Sequence, residues 1–209
     1  MATKADHLGE QSRREHLNNI RDEQGRLALR RRRIRLAAWA VSLAVAAVVL
    51  VAMGLTSRSA TSAIARSAPD FTLTDTAGGQ HHLAGLRGRN VLLYFSEGAG
   101  CQICLTQMGA LEKDAQVAKS DLVVLPIVMN SREQIMADMS ANGVKTPFLL
   151  DDGTVSKAYG TLGKGMHAGL PGHSFVLIDK LGVQRWYGDY PSMWLSPADL
   201  LTEVRKHLA

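Results

Sequence analysis

The chain has 209 residues, is 46% hydrophobic but only 5% aromatic, carries a formal net charge of +5 and contains two cysteines. Two cysteines allow one intrachain disulfide and leave a structural zinc site without the second ligand pair it needs. The positive charge does not indicate a nucleic-acid-binding domain: residues 1–35 hold ten Lys/Arg against five Asp/Glu, and 14 of each remain in the rest of the chain.

Residues 1–35 read as a cytoplasmic basic tail that lies against anionic headgroups. From about Gln11 to Arg35 it lacks proline, and its apolar residues are too sparse for a core, so a solvated, partly helical arm is expected. Leu36 to Leu55 is free of charge. At 1.5 Å per residue such a run spans roughly 30 Å, the hydrocarbon thickness of a bilayer, and is expected to be a transmembrane helix. Arg30 to Arg33 and Arg35 abut it on one side, while only Arg58 and Arg66 are near on the other. The positive-inside rule then puts the N-terminus in the cytoplasm and everything after residue 55 outside, on a single-pass cell-membrane protein. A signal peptide cleaved after Ala65 is the alternative, given the small-x-small pattern Ala63-Ile64-Ala65. The long leading segment and long apolar run favour an uncleaved signal anchor. The consecutive arginines match a twin-arginine export signal poorly. Residues 56–67 have the small, polar composition of a flexible linker.

Residues 68–209 are the right size for one domain. Asp70 to Thr74 alternates like an edge strand, and Val91 to Ser96 reads as a buried central strand. Gln102 to Val117 reads as a helix with Ile103, Met108, Leu111 and Ala115 on its apolar stripe. Leu122 to Met129 reads as a second apolar strand, with Pro126 arguing for an edge position or a bulge. Ser131 caps a helix to Ala141, with Gln134 three residues on. Phe148 to Leu150 reads as a short strand and Val155 to Tyr159 as a helical turn. Ser174 to Asp179 and Val183 to Tyr187 form a hairpin through Lys180-Leu181-Gly182, and Ser196-Pro197 opens a closing helix to Leu208. Strands alternating with helices imply an α/β sandwich around a central mixed sheet.

The two cysteines form Cys101-Gln102-Ile103-Cys104, just after the central strand. A C-x-x-C at a strand-to-helix junction is where a thiolate can be stabilised and a disulfide opened and closed.

Three segments together resemble the redoxin branch of the thioredoxin-like superfamily. They are Ser67-Ala68-Pro69-Asp70-Phe71-Thr72-Leu73, the apolar strand leading into the C-x-x-C, and Leu170-Pro171-Gly172-His173-Ser174-Phe175-Val176-Leu177-Ile178-Asp179 followed by Gly182. That branch includes alkyl hydroperoxide reductase and thiol-specific antioxidant proteins and the membrane-anchored thiol–disulfide oxidoreductases of cytochrome maturation. The resemblance runs from about Ala68 to the C-terminus. It implies a thioredoxin-like sandwich in which Cys101, at a helix N-terminus, is the exposed attacking sulfur, favoured as a thiolate by unpaired N–H groups and the helix dipole. Cys104, one turn on, would be buried and would resolve the mixed disulfide. Pro171 matches the loop proline that in relatives is usually cis and faces the sulfurs, where it would shape the groove for a substrate cysteine.

Departures from the family pattern matter as well. Glu97-Gly98-Ala99-Gly100 replaces a shorter, Trp-containing connection and reads as a more pliable loop. Gln107 stands where many cytochrome-maturation relatives carry the Glu that takes a proton from the resolving thiol. Glu97 is the stand-in by position, although an exposed loop glutamate without a role is the plainer reading. A peroxiredoxin-like peroxidase is the first alternative. Its Pro and Thr/Ser positions fall here on Glu97 and Cys101 before Cys104, or on Tyr94 and Gly98 before Cys101, and Gly172-His173 replaces its arginine. His173 could supply part of that positive charge. A copper-binding chaperone is the second, with His167 and His173 flanking the loop expected to face the thiolates; solvated loop histidines are the plainer reading.

The residues therefore point to a membrane-anchored extracytoplasmic thiol–disulfide oxidoreductase acting through Cys101, Cys104 and Pro171. No cofactor or metal is expected. The expected partners are protein thiols or disulfides, an unidentified electron donor or acceptor, and the membrane. Gln102-Ile103 tunes the potential but leaves the direction of electron flow open.

Overall fold

The computed structural model describes residues 35–51, 60–165 and 167–209, and the chain divides into two compact units, Met1–Leu55 and Thr56–Ala209. In the first unit, helix α1 covers residues 35–51. Its apolar side chains are exposed all round: Leu36, Trp39, Leu43 and Leu50 on one face and Val41, Val45 and Val48 on the other are 57–69% exposed. Among the described residues no helix is long and apolar enough to cross a membrane. The last four residues of the expected span, 52–55, lie outside the described residues, as does the basic tail apart from Arg35.

The second unit is built on one eight-stranded mixed sheet in the order β1-β8-β7-β4-β5-β6-β2-β3. Its strands are β1 (Ala60–Ser67), β2 (Thr72–Asp75), β3 (Gln80–His82), β4 (Asn90–Phe95), β5 (Leu122–Val128), β6 (Leu149–Leu150), β7 (Ser174–Ile178) and β8 (Val183–Asp189). The helices are α2 (Gln102–Lys113), α3 (Ala115–Lys119), α4 (Arg132–Asn142), α5 (Thr154–Ala158) and α6 (Pro197–Leu208). β4 is central, parallel to β5 and antiparallel to β7.

Period-2 alternation divides the buried strands between two cores. Leu92 and Tyr94 of β4 and Phe175 and Leu177 of β7 face one core, which also holds Cys101, Cys104, Leu105, Met108 and Leu111 of the α2 region and Leu200, Leu201 and Val204 of α6. Val91, Leu93, Phe95, Val176 and Ile178 face the other core, with Phe71, Val155 and Tyr159. The site therefore lies on the α2 face.

Most elements fall where the pattern puts them, and the exceptions have physical reasons. Residues 60–67, read as part of a tether, form strand β1 on β8, with Ala60 opposite Asp189 and Ser67 opposite Val183. That strand is almost wholly exposed, so no apolar alternation marks it. The stretch read as an edge strand is β2, held between β3 and β6; the edge is β3. Pro126 sits inside an interior strand, opposite Tyr94. The β6 ladder starts only at Ile127, so Pro126 is locally at an edge and its missing N–H costs no pairing there. The helix expected to run to Val117 breaks at Asp114, whose carboxylate accepts from Gln116 N and Val117 N and so caps α3. The predicted capping box at Ser131 and Gln134 is present.

Candidate active site at the start of helix α2

Cys101 and Cys104 form a disulfide, with Cα atoms 5.3 Å apart. Cys101 is the N-cap residue of α2, its side chain makes no capping hydrogen bond, and the first turn holds no acidic residue. The helix start thus presents free N–H groups and the positive end of the dipole to the sulfur, as a thiolate requires. Cys101 is 7% exposed and Cys104 1%. Both are buried in the disulfide form, with Cys101 the more accessible. Ile103, placed on the apolar stripe by spacing, is 38% exposed beside the cysteines; the buried stripe is Cys104, Leu105, Met108 and Leu111.

The loop before Cys101, expected to be pliable, is anchored at every residue. Glu97 is 2% exposed, not a solvated loop residue. Its carboxylate accepts from the backbone N–H of His167 at 3.1 Å and pairs with His167 Nδ1 at 2.9 Å. The Gly98 carbonyl accepts from Cys101 N at 3.0 Å. Ala99 N donates to Asn130 Oδ1 at 2.8 Å and Gly100 N to Asp138 Oδ2 at 2.7 Å. Gly98 has φ 74°, and a Cβ there would run into Asn130 and Val128, so only glycine fits. The partners of Glu97, Ala99 and Gly100 come from His167, from Asn130 after β5 and from Asp138 of α4, too distant in sequence for spacing to reveal.

Two buried polar side chains lie in the core at α2: Gln107 belongs to the helix itself, and His173 precedes β7. Gln107 is fully buried; its Nε2 donates to the Leu195 carbonyl at 2.9 Å and its Oε1 accepts from Leu195 N at 2.8 Å. It closes a backbone-like pair, and a carboxamide, unlike a carboxylate, is not a base. His173 is 2% exposed. Its Nδ1 lies 3.3 Å from Tyr94 Oη, and that hydroxyl donates to the Cys104 carbonyl at 3.1 Å. The ring also packs edge-on against Tyr94 and Phe175, with centroids 5.0 and 5.6 Å away. Burial pushes the imidazole pKa down to about 4, so it is neutral at physiological pH. Burial likewise drives the Tyr94 phenol well above its ordinary value.

The expectation of a cis bond before Pro171 does not hold: no peptide bond among the described residues is cis. Pro171 is buried, bridges to Leu162, and precedes Gly172, whose N–H donates to Thr161 O at 2.9 Å. A Cβ on Gly172 would meet the Lys164 side chain and backbone, so the 163–165 segment lies directly over this turn. Pro171 thus fixes the turn that delivers His173 to Tyr94. His167 and His173 bond to Glu97 and Tyr94 respectively, and among the described residues no three His, Cys, Asp or Glu groups cluster to hold a metal.

A family model for AhpC/TSA proteins matches residues 64–186, from β1 to β8. The chain belongs to the AhpC/TSA family. It is 27% identical over 112 residues to the thiol-disulfide oxidoreductase ResA of Geobacillus kaustophilus, a match covering 43% of this chain and 64% of that protein, just under two thirds of its length. Among solved structures it resembles a candidate protein disulfide isomerase from Bacteroides thetaiotaomicron (25% identity, 70% of this chain and 94% of that one, TM-score 0.52). It also resembles a reduced 2-Cys peroxiredoxin from Plasmodium vivax (22% identity, 69% and 96%, TM-score 0.61), a likeness of fold alone. The thioredoxin-like α/β fold expected from the sequence is the fold observed.

Proposed function

We propose that this protein is a thiol–disulfide oxidoreductase held at the outer face of the cell membrane by the apolar segment 36–55. The observation that carries the redox reading is the Cys101–Cys104 disulfide at the start of α2, with Cys101 at the cap and Cys104 beneath it. The similarity to ResA supports it. In the reducing direction, a Cys101 thiolate attacks a substrate disulfide and forms a mixed disulfide. Cys104 then attacks Cys101 Sγ, closing the intrachain bond and releasing the substrate as a thiol. The oxidising direction is the same path reversed. Pro171 acts by shaping the turn beside the site, and substrates are protein thiols or disulfides.

The anchor reading is supported by the uncharged run and by the all-round exposure of apolar side chains on α1. An arginine cluster on its N-terminal side orients it with the domain outside. An oxidising cell envelope is where disulfide exchange is needed.

The test is disulfide exchange by the full chain against a model disulfide. Cys101→Ser should abolish it; activity that survives would sink the reading. Rapid hydrogen peroxide consumption that persists in Cys104→Ser would make the protein a peroxidase instead. For the anchor, a membrane-impermeant thiol reagent should label reduced Cys101 in intact cells, and labelling only after lysis would contradict the orientation.

A further inference from the structure

We propose that a groove between β1, β8 and the 160–164 segment binds a phosphate group, either free or as a lipid headgroup. The groove has a volume of about 290 Å³, and its lining includes Arg66, Tyr159, Lys164, Gln184 and Tyr187 but no acidic residue. Tyr159 and Tyr187 pack with the core on the other side of the sheet from the cysteines. The site is therefore separate from the disulfide and does not rest on the exchange reading.

Arg66 is exposed, yet a buried side chain orients it. Its Nε donates to Gln184 Oε1 at 3.0 Å, and Gln184 is 0% exposed. Arginine can only donate, so the carboxamide oxygen must be the atom that faces it. Gln184 Nε2 is then left inside the fold with no hydrogen-bond partner among the described residues. A buried donor without a partner costs stability and calls for a reason. The strands are irregular at the same place. Ala63 pairs with Trp186 and Arg66 with Gln184, so two residues of β1 stand against Arg185 alone. On the other side, Trp186 and Gln184 pair with the consecutive residues Leu177 and Ile178. Bulges of this kind re-aim a side chain and gather beside functional sites. Here the bulge sets Arg66 opposite Gln184, which takes up Nε and leaves the two terminal guanidinium nitrogens without a protein acceptor among the described residues.

The lining fixes the chemistry of the ligand. Among the described residues the Lys and Arg ion pairs are Lys180–Asp121, Arg185–Asp179 and Lys206–Glu203, so neither Arg66 nor Lys164 has a carboxylate partner there. Tyr159 Oη donates to the Pro69 carbonyl at 2.7 Å. Ser174 Oγ donates to Asp189 at 3.1 Å, so its 3.3 Å contact with Tyr187 Oη uses the tyrosine's proton. Both phenol protons are thus spent, and the rings serve as walls. The Lys164 charge is felt by Asp189, which is 9% exposed and does not line the groove. Two cations without a carboxylate suit an anion rich in acceptor oxygens. The guanidinium fork takes two of those oxygens and the ammonium balances the second charge, a pattern that favours phosphate over a carboxylate.

Nitrogen NMR of the full chain, solubilised in a phosphate-free non-ionic detergent, reads the Arg66 guanidinium directly. Inorganic phosphate should shift the Arg66 Nε signal saturably, with a dissociation constant of about 1 mM or below, whereas chloride at equal ionic strength should not. Arg66→Lys keeps the charge but loses the fork and the Gln184 bond, and it should weaken phosphate binding, followed by phosphorus NMR, at least about tenfold. Lys164→Gln should weaken it as well. Both residues are exposed, so these variants probe binding rather than folding. The chain is then reconstituted into phosphatidylglycerol vesicles without free phosphate. An Arg66 shift there assigns the site to headgroups, and a response to free phosphate alone assigns it to soluble phosphates. A response to neither, a shift that chloride reproduces, or an affinity unchanged in Arg66→Lys overturns the proposal.

Discussion

Gln107 on α2 and His173 before β7 are both buried, and they differ in how completely their hydrogen bonds are used. Gln107 has a partner for each amide atom: both bind the Leu195 backbone, fixing the segment between β8 and α6 against α2. His173 is half used, with Nδ1 on Tyr94 and Nε2 without a partner among the described residues. A saturated buried polar group stabilises a fold, whereas an unsaturated one costs stability and leaves chemical capacity in place. The difference separates a clamp with both amide atoms paired from a buried ring that has one nitrogen without a partner among the described residues.

The comparison can be broken at several points. Gln107→Leu leaves two Leu195 backbone groups without partners and should cost about 2–4 kcal/mol in chemical denaturation. The pH profile of the resolving step should be untouched; a shifted profile would give Gln107 a chemical role. The second test is the pH dependence of stability in the disulfide form. An unfolded histidine protonates near about 6.5 and folded His173 near about 4, so between those values the unfolded chain binds the extra proton. Stability due to His173 is thus complete above about pH 6.5 and is lost as pH falls toward 4, by about 3 kcal/mol in total. His173→Phe should flatten the curve over that window, and an unchanged slope would assign the pH dependence elsewhere. The smallest effect concerns the other cysteine. Asp138 accepts from Gly100 N, next to Cys101, and its charge opposes the dipole of α2. Asp138→Asn should lower the Cys101 thiol pKa by a few tenths of a unit, read from pH-dependent alkylation. A rise would mean that the loop anchor matters more than the charge.

Much of this architecture was legible in the sequence because it is carried by local signals. The apolar run into β4, the capping box at Ser131, the Ser196-Pro197 helix start and the C-x-x-C spacing each mark their own element. Segments whose structure depends on distant partners were not legible. β1 is a strand because β8 offers an edge, not because of its own composition. Glu97 is buried because the His167 loop folds over it, and a single residue gives no sign of that. Tyr94 carried a usable hint: a phenol on a strand read as fully buried needs a polar partner. The same reasoning leads to His173, which sequence position alone presented as a loop histidine. The trans bond before Pro171 runs against the family resemblance, and what the proline fixes here is the turn into β7.

The central claim is that Cys101 attacks and Cys104 resolves, and trapping tests it most directly. When each single-serine variant is incubated with a disulfide substrate, Cys104→Ser should accumulate a covalent mixed disulfide through Cys101, while Cys101→Ser should trap little or none. Equal trapping by both variants, or trapping through Cys104 alone, would contradict the account.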